Sequence, residues 1–328
     1  METDGSSGVW IEPVPDLIVG EIKALADFAS VESIRIPGYW MHKDSINVKV
    51  ASPPTAGEKV IYHLHGGAYV RCSAHPADRT AMIPRGILEF ADSVLRTFSV
   101  EYRLSSTLPF AVANPFPAAL IDAIAGYSYL VNDVGFAPAD IIVTGDSAGG
   151  NLAHALTRYL VENRDSSIKK LPAPPGGLIL FSPWCDASDS HDFPGSSTFI
   201  FQNIDIITPN VGSFAKRAFL GLHGFKEAST NRYISPACRY PSLSIDFKGF
   251  PRTLITAGGV EILLDQIRLM RRRMADDLGD GDGAKPGEGK VQYFEEPDAV
   301  HDCAVFDWHE PEKTNTLKEA ARWITAAA

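Results

Sequence analysis

Cysteine is scarce in this chain, with four in 328 residues, at positions 72, 185, 238 and 303. None form a C-x-x-C pair, so the spacing gives neither a disulfide framework nor a zinc-site pattern. Free thiols in a reducing compartment are expected. Positive charge is also short: 30 Lys and Arg face 40 Asp and Glu, a formal net charge of −10. An acidic chain has no electrostatic pull toward nucleic acid or an anionic membrane surface, so neither is expected as a partner. The one basic run, Arg271-Arg272-Arg273, falls in a predicted helix and reads as a solvated face. No apolar run reaches the roughly 18 residues that a spanning helix needs. The N-terminus, METDGSSGVW, lacks a basic start followed by an apolar stretch, so no signal peptide is read there. Together these absences predict a cytoplasmic chain. No internal repeat is found.

What is present is ordinary globular material, 45% hydrophobic and 21% charged. The length suits one large α/β domain with a small accessory element. Short apolar, β-prone runs at 59–64, 94–102, 140–144, 177–181, 252–257 and 291–295 predict strands. Weaker strand-like segments lie at 33–37 and 46–51. Helical patterns occupy 117–131, 151–163, 261–278 and 316–327, with amphipathic stretches around 17–28. Strands alternating with helices predict a mostly parallel sheet flanked by helices. Residues 1–8 read as a disordered tail. Residues 186–245 break the rhythm and read as an insertion above the sheet. The Gly-rich segment 279–290 reads as a flexible loop. A calcium loop needs glycine at its sixth position, and counting from Asp280 that position is Lys285.

Chemistry concentrates at two glycine turns. Gly145-Asp146-Ser147-Ala148-Gly149 is a G-x-S-x-G pattern between a β-branched strand and a helix. Such a sharp turn exposes the central serine above the carboxyl end of the sheet, and glycines keep side chains out of its way. His65-Gly66-Gly67-Ala68 follows the strand ending at Leu64. Acyl transfer builds negative charge on a carbonyl oxygen, and the N–H groups of Gly66, Gly67 and Ala148 are the candidates to meet it. His63 and His65 form an H-x-H pair, but no carboxylate or further ligand stands nearby in the chain, so no metal is expected. A serine needs a base, and in the order usual for this turn the acid and then the histidine follow it. His301, after the last predicted strand, is the expected base and His309 the fallback. His154 reads as helix surface or packing, and His191 and His223 fall in the insertion. Glu261, after the strand at 252–257, is the expected acid, with Asp265 one helical turn later as its rival.

With these pieces placed, the chain resembles the hormone-sensitive-lipase-like esterases over residues 58–310. HGGAYV is similar to that family's H-G-G-G motif, with Ala68 replacing the third glycine. GDSAGGNLA (145–153), YRL (102–104), PFPAALIDA (115–123), SPWCD (182–186), GGVEILLDQ (258–266) and VHDCAVF (300–306) carry the rest. Glu261 stands where the family has Asp. The segment 102–120 is longer than the family pattern, and Ser105-Ser106-Thr107 replaces its Ala-Pro-Glu. The resemblance implies an α/β-hydrolase fold with a helical cap built from an N-terminal segment, 1–45, and an insertion, 186–245. The core would then comprise 46–185 and 246–328. It implies a carboxylester hydrolase for short-to-medium acyl esters, acting through Ser147, His301 and Glu261 and an acyl-enzyme, with no cofactor. An amidase or deacetylase on the same machinery, or a non-catalytic ligand receptor, are the alternatives. Trp10, Phe28, Trp40, Phe199, Phe201, Phe214 and Phe219 predict an apolar, closed pocket under the cap. The oligomeric state stays open.

Overall fold

Strands that are apolar at successive positions suit a sheet covered on both faces. The computed structural model, which describes residues 2–3, 6–43, 46, 48–167 and 171–326, has that arrangement. The chain begins with β1 (Glu2–Thr3), β2 (Ser6–Ile11), α1 (Gly20–Ala29) and β3 (Ile36–His42). Next come β4 (Lys59–Leu64), α2 (Met82–Phe90), β5 (Val94–Val100), α3 (Ala118–Ser128), β6 (Ile141–Asp146), α4 (Ser147–Glu162) and β7 (Gly177–Phe181). A long connection carries α5 (Ser197–Ile200), α6 (Pro209–Leu220) and α7 (Gly224–Ala228). The chain closes with β8 (Arg252–Gly258), α8 (Leu264–Leu278), β9 (Val291–Glu296) and α9 (Glu312–Ala326).

Among the described residues these strands form one sheet in the order β1-β2-β3-β5-β4-β6-β7-β8-β9. The pairs from β5 to β9 are parallel, and the pairs joining β1, β2, β3 and β5 are antiparallel. Side chains alternate between two cores. On β4, Val60, Tyr62 and Leu64 enter one core and Ile61 the other; on β7, Leu178 and Leu180 oppose Ile179 and Phe181. The first core is completed by α1, α3, α4 and α8, the second by α2 and α9. Each buried aliphatic side chain contributes about 1.5–3 kcal/mol. Because β5 lies outside β4, the chain must cross back over β4 to reach β6. The connections leaving β4 and β6 therefore diverge, which opens a crevice at their carboxyl ends.

The connection between β7 and β8 leaves and re-enters the core at a closed stem. Ala237 N–H donates to Cys185 O at 2.9 Å and Ala187 N–H to Ser235 Oγ at 3.0 Å. From α8, Gln266 Oε1 accepts the N–H groups of Cys185 and Asp186, both at 2.7 Å. Arg273 donates to Pro236 O at 2.8 Å and Cys238 O at 2.9 Å. The basic run is thus not a uniformly solvated face: its third member ties the stem to the core.

The N-terminal region departs most from expectation. Residues 1, 4 and 5 of the expected tail lie outside the described residues, but β1 and β2 take up 2–3 and 6–11 and extend the sheet. The strand expected at 33–37 is β3, Ile36–His42. No strand forms among the described residues of 46–51. β3 already occupies the outer edge of β5, pairing Gly38–His42 against Val100–Arg96, so no edge is left there. β2 and β3, from the expected N-terminal cap segment, belong to the sheet. Between them, α1 lies against the end of α4 and the insertion: Val19 N–H donates to Tyr159 Oη at 3.0 Å, Arg232 pairs with Glu21 at 2.8 Å, and Phe28 meets His223 at 5.2 Å.

Trp40, grouped with the cap aromatics on sequence, lies fully buried in the sheet core, its ring 4.9 Å from that of Phe98. Its place on the inward face of β3 decides this. Trp40→Ala should therefore cost about 3–5 kcal/mol of stability and leave turnover per folded molecule close to wild type. Urea denaturation combined with activity at low denaturant checks both parts.

Candidate active site

The crevice between β4 and β6 receives Ser147 at its floor. Ser147 stands at φ +51°, a left-handed conformation that costs a serine about 1–2 kcal/mol. The residues two positions to either side leave no room for a side chain. A Cβ on Gly149 would collide with the carbonyl oxygens of Leu64 and His65, and one on Gly145 with the backbone of Gly149. The turn is thus packed tightly against the end of β4 and on itself, and α4 starts at Ser147, which places the Ala148 N–H at a helix N-terminus.

His301 Nε2 lies 2.9 Å from Ser147 Oγ, and His301 Nδ1 lies 2.6 Å from Glu261 Oε2. Glu261 is fully buried and sits in the turn before α8, so it is not a helix-start acid. Its other oxygen accepts the Gly258 N–H at 2.8 Å and Ser182 Oγ–H at 3.1 Å. Burial pushes the Glu261 carboxyl up, against the pull of His301 and the Gly258 N–H. Asp265 faces away: Oδ2 accepts the Ser197 N–H at 2.8 Å, and its own N–H donates to Ser197 Oγ at 3.1 Å. His309 has both ring nitrogens engaged elsewhere, Nε2 accepting from Val300 N–H at 3.1 Å and Nδ1 3.1 Å from Glu312. His154 is buried beside Phe250, and burial together with Arg158 holds it well below its ordinary pKa. His191 and His223 contact the backbone carbonyls of Ala237 and Phe116 at 3.0 and 2.9 Å.

The loop after β4 runs beside the serine. Gly67 at φ +106° has no room for a Cβ, which would meet the Arg71 carbonyl; Ala68 and Tyr69 follow at φ +57° and +63°. Gly66 packs against Asp146. Tyr69 pins the loop: its hydroxyl donates to Asn151 Oδ1 at 2.8 Å, and its ring stacks on Phe219 of α6 at 4.0 Å. Asn151 in turn donates to Ile234 O at 3.0 Å. Loop, α4 and insertion are therefore one packed unit. His63 and His65 look to different partners, Thr144 Oγ1 at 2.9 Å and Gly66 O at 2.7 Å.

Ser147 and His301 line a cavity of about 1490 Å³. Its wall is mixed. Trp184, Phe199 and Ile206 contribute apolar surface, while Asp189, Lys216 and Arg79 contribute charge. Apolar surface makes up the larger part, as expected, and charged groups interrupt it. Of the other aromatics, Phe219 is buried under Tyr69, and Trp10 and Phe28 are exposed.

A family model described as alpha/beta hydrolase fold matches residues 61–304. The chain belongs to that family. Esterase LipU of Mycobacterium tuberculosis is 28% identical over 281 residues, covering 84% of this chain and 80% of the relative. An esterase of Acinetobacter venetianus is 28% identical, over 82% of this chain and 75% of the relative. The crystal structure of a hormone-sensitive lipase from a metagenome library superposes with a TM-score of 0.66 at 25% identity, covering 89% of this chain and 81% of that one. The chain is thus a hormone-sensitive-lipase-like member of the α/β-hydrolases, a serine hydrolase of the carboxylesterase class. Among the described residues no helix is long and apolar enough to cross a membrane.

Two acids of this hydrolase were not legible in its sequence. Asp302 Oδ2 lies 3.1 Å from His301 Nε2, on the side of the ring that faces Ser147. Burial, with Asp146 and Glu261 nearby, pushes its carboxyl up, while His301 pulls it down. For His301, burial disfavours the charged ring, but Asp302 and Glu261 outweigh it and hold the imidazole well above its ordinary range. The second acid, Asp205, comes from the insertion and bridges two loops. Its Oδ1 accepts the His301 N–H at 3.0 Å and its Oδ2 the Ile262 N–H at 2.8 Å. It thereby sets the spacing between the histidine loop and the acid loop. Asp205→Ala should lower kcat for an acetyl ester by about 10- to 100-fold, the range expected when a reacting group is displaced by an ångström, with a smaller change in KM. Steady-state kinetics, with folding followed by circular dichroism, give the answer.

Proposed function

We propose that this hydrolase cleaves short-to-medium acyl esters through a Ser147-His301-Glu261 triad and an acyl-enzyme intermediate. The observation that carries the reading is the unbroken line of contacts from Ser147 Oγ to His301 (2.9 Å) to Glu261 (2.6 Å) on the wall of a large cavity. Ser147 attacks the ester carbonyl while His301 Nε2 takes its proton. Glu261 keeps Nδ1 protonated and stabilises the imidazolium that forms. The N–H groups of Gly66, Gly67 and Ala148 receive the oxyanion, each worth about 3 kcal/mol in a site of this kind. His301 then returns its proton to the leaving alkoxide. Water attacks the acyl-enzyme by the same route, and the acid leaves. The segment 186–245 acts as a cap, joined by α1, and closes over the acyl group.

Ser147→Ala should remove turnover by a factor on the order of 10⁴–10⁶ while the protein stays folded. A fluorophosphonate probe should label the wild type at Ser147 and not the variant. Wild-type protein that hydrolyses esters yet never labels at Ser147 would refute the assignment. His301→Ala should be equally inactive and His309→Ala active.

Glu261→Gln should cost several orders of magnitude in kcat, whereas Asp265→Asn should chiefly loosen the contact with Ser197 and spare the chemistry. The opposite ranking would name the wrong acid.

On a panel from acetyl to long-chain esters, activity should be greatest between acetyl and hexanoyl. A maximum on emulsified long-chain triglyceride would overturn the substrate class.

A further inference from the structure

A triad needs one carboxylate at its histidine, and here the ring meets two. Glu261 faces Nδ1 at 2.6 Å and Asp302 faces Nε2 at 3.1 Å. Asp302 has no other task that would explain it. It is 8% exposed and lines the same cavity as Ser147, and its Oδ1 is buried with no hydrogen-bond partner among the described residues. Its backbone stands at φ +54°, a left-handed conformation that Gly would adopt at less cost and Asn as readily. The groups around it are His301, Glu261, Asp146 and Cys303, with Asp78 and Arg79 lining the same cavity from the turn packed against Cys303–Val305. Charge of one sign prevails next to the imidazole.

We propose that Asp302 is a positioning residue that keeps a proton on His301 Nε2, so that in the resting enzyme Ser147 faces an N–H rather than a lone pair. The inference rests on the triad reading above. With both ring nitrogens beside carboxylates, the imidazolium is the favoured form, and Ser147 Oγ accepts from it. Hydrolysis begins only when that proton passes from Nε2 to solvent. The freed lone pair then accepts the Ser147 proton as the Oγ–C bond forms. At this point the same Asp302 charge helps, because it stabilises the imidazolium that the transition state creates. Asp302 therefore exerts two opposed effects. It moves the acid limb of the pH–rate profile upward, and it raises the rate on the plateau above that limb.

The test is the pH dependence of kcat/KM on an acetyl ester, together with that of the fluorophosphonate labelling rate, in Asp302→Asn and Asp302→Gly. Both replacements suit the left-handed backbone and both remove the charge. An opposite charge at this range shifts a pKa by about 1–3 units, so the acid limb should fall by at least about one pH unit in both variants, while the plateau drops. A merely structural role would lower the whole profile without moving the limb. A limb that stays in place or moves up would overturn the proposal. One further measurement needs no variant: the ¹⁵N shifts of the His301 ring in the free wild type should report both nitrogens protonated at neutral pH, and a bare Nε2 would overturn the proposal. If Ser147→Ala retains labelling and turnover, the triad reading falls and this inference with it. If Ser147→Ala is inactive and the limb does not move, this inference alone falls.

Discussion

The contact between His301 and Glu261 is the constraint on which the site depends. A buried carboxylate is costly unless its oxygens are occupied, and here each oxygen has a donor. Oε2 faces the imidazole, and Oε1 takes the Gly258 N–H and the Ser182 hydroxyl. Those donors sit at the carboxyl ends of β8 and β7, so the parallel sheet itself fixes where the acid stands. The imidazole then has one orientation, with Nε2 over Ser147. Ser147 has little freedom either, because its turn at the end of β6 is packed against the end of β4, with glycines where any side chain would collide. Rigid strands thus position three side chains that come from distant parts of the chain.

The insertion touches the residues of the site directly. Asp205 accepts backbone N–H groups from both the histidine loop and the acid loop. Phe219 stacks on Tyr69, which shapes the glycine loop beside the serine. Gln266 and Arg273 hold the stem from α8. The insertion is therefore tied to the loops that carry His301 and Glu261 by hydrogen bonds as well as by lining the cavity.

Two carboxylates around one imidazole give the site an electrostatic character beyond that of a three-residue relay. In the proposed reading Glu261 orients the ring and Asp302 charges it. Burial opposes ionisation of each group separately, yet a proton placed between them satisfies His301 and Asp302 together. The mixed wall of the cavity extends this polarity outward through Asp189, Lys216 and Arg79.

Much of this was legible in the residues, for local reasons. The runs at β4, β6, β7 and β8 read as buried strands because apolar residues fill both faces. The turn at Gly145–Gly149 read as a nucleophile site because steric demands on a strand-to-helix turn are set by its own few residues. His301 and Glu261 followed from the order of strands and loops along the chain. Glu261 is preferred to Asp265 on sequence for its place in the loop and for the family resemblance; in the structure Glu261 lies against His301 while Asp265 holds Ser197. Asp205, Asp302 and Tyr69 carry no signal of their own in the sequence. Their roles come from partners far away in the chain, brought near by the crossing of β4 and the folding back of the insertion. Trp40 shows the same limit from the other side: its aromatic character was plain, but only the register of β3 against β5 placed it in the core. The sequence alone indicated the buried central strands, the turn and the candidate reacting groups, because these depend largely on neighbouring residues. The tertiary structure decided which buried charges face one another, because Coulomb and hydrogen-bond energies depend on distance in space and not on separation along the chain.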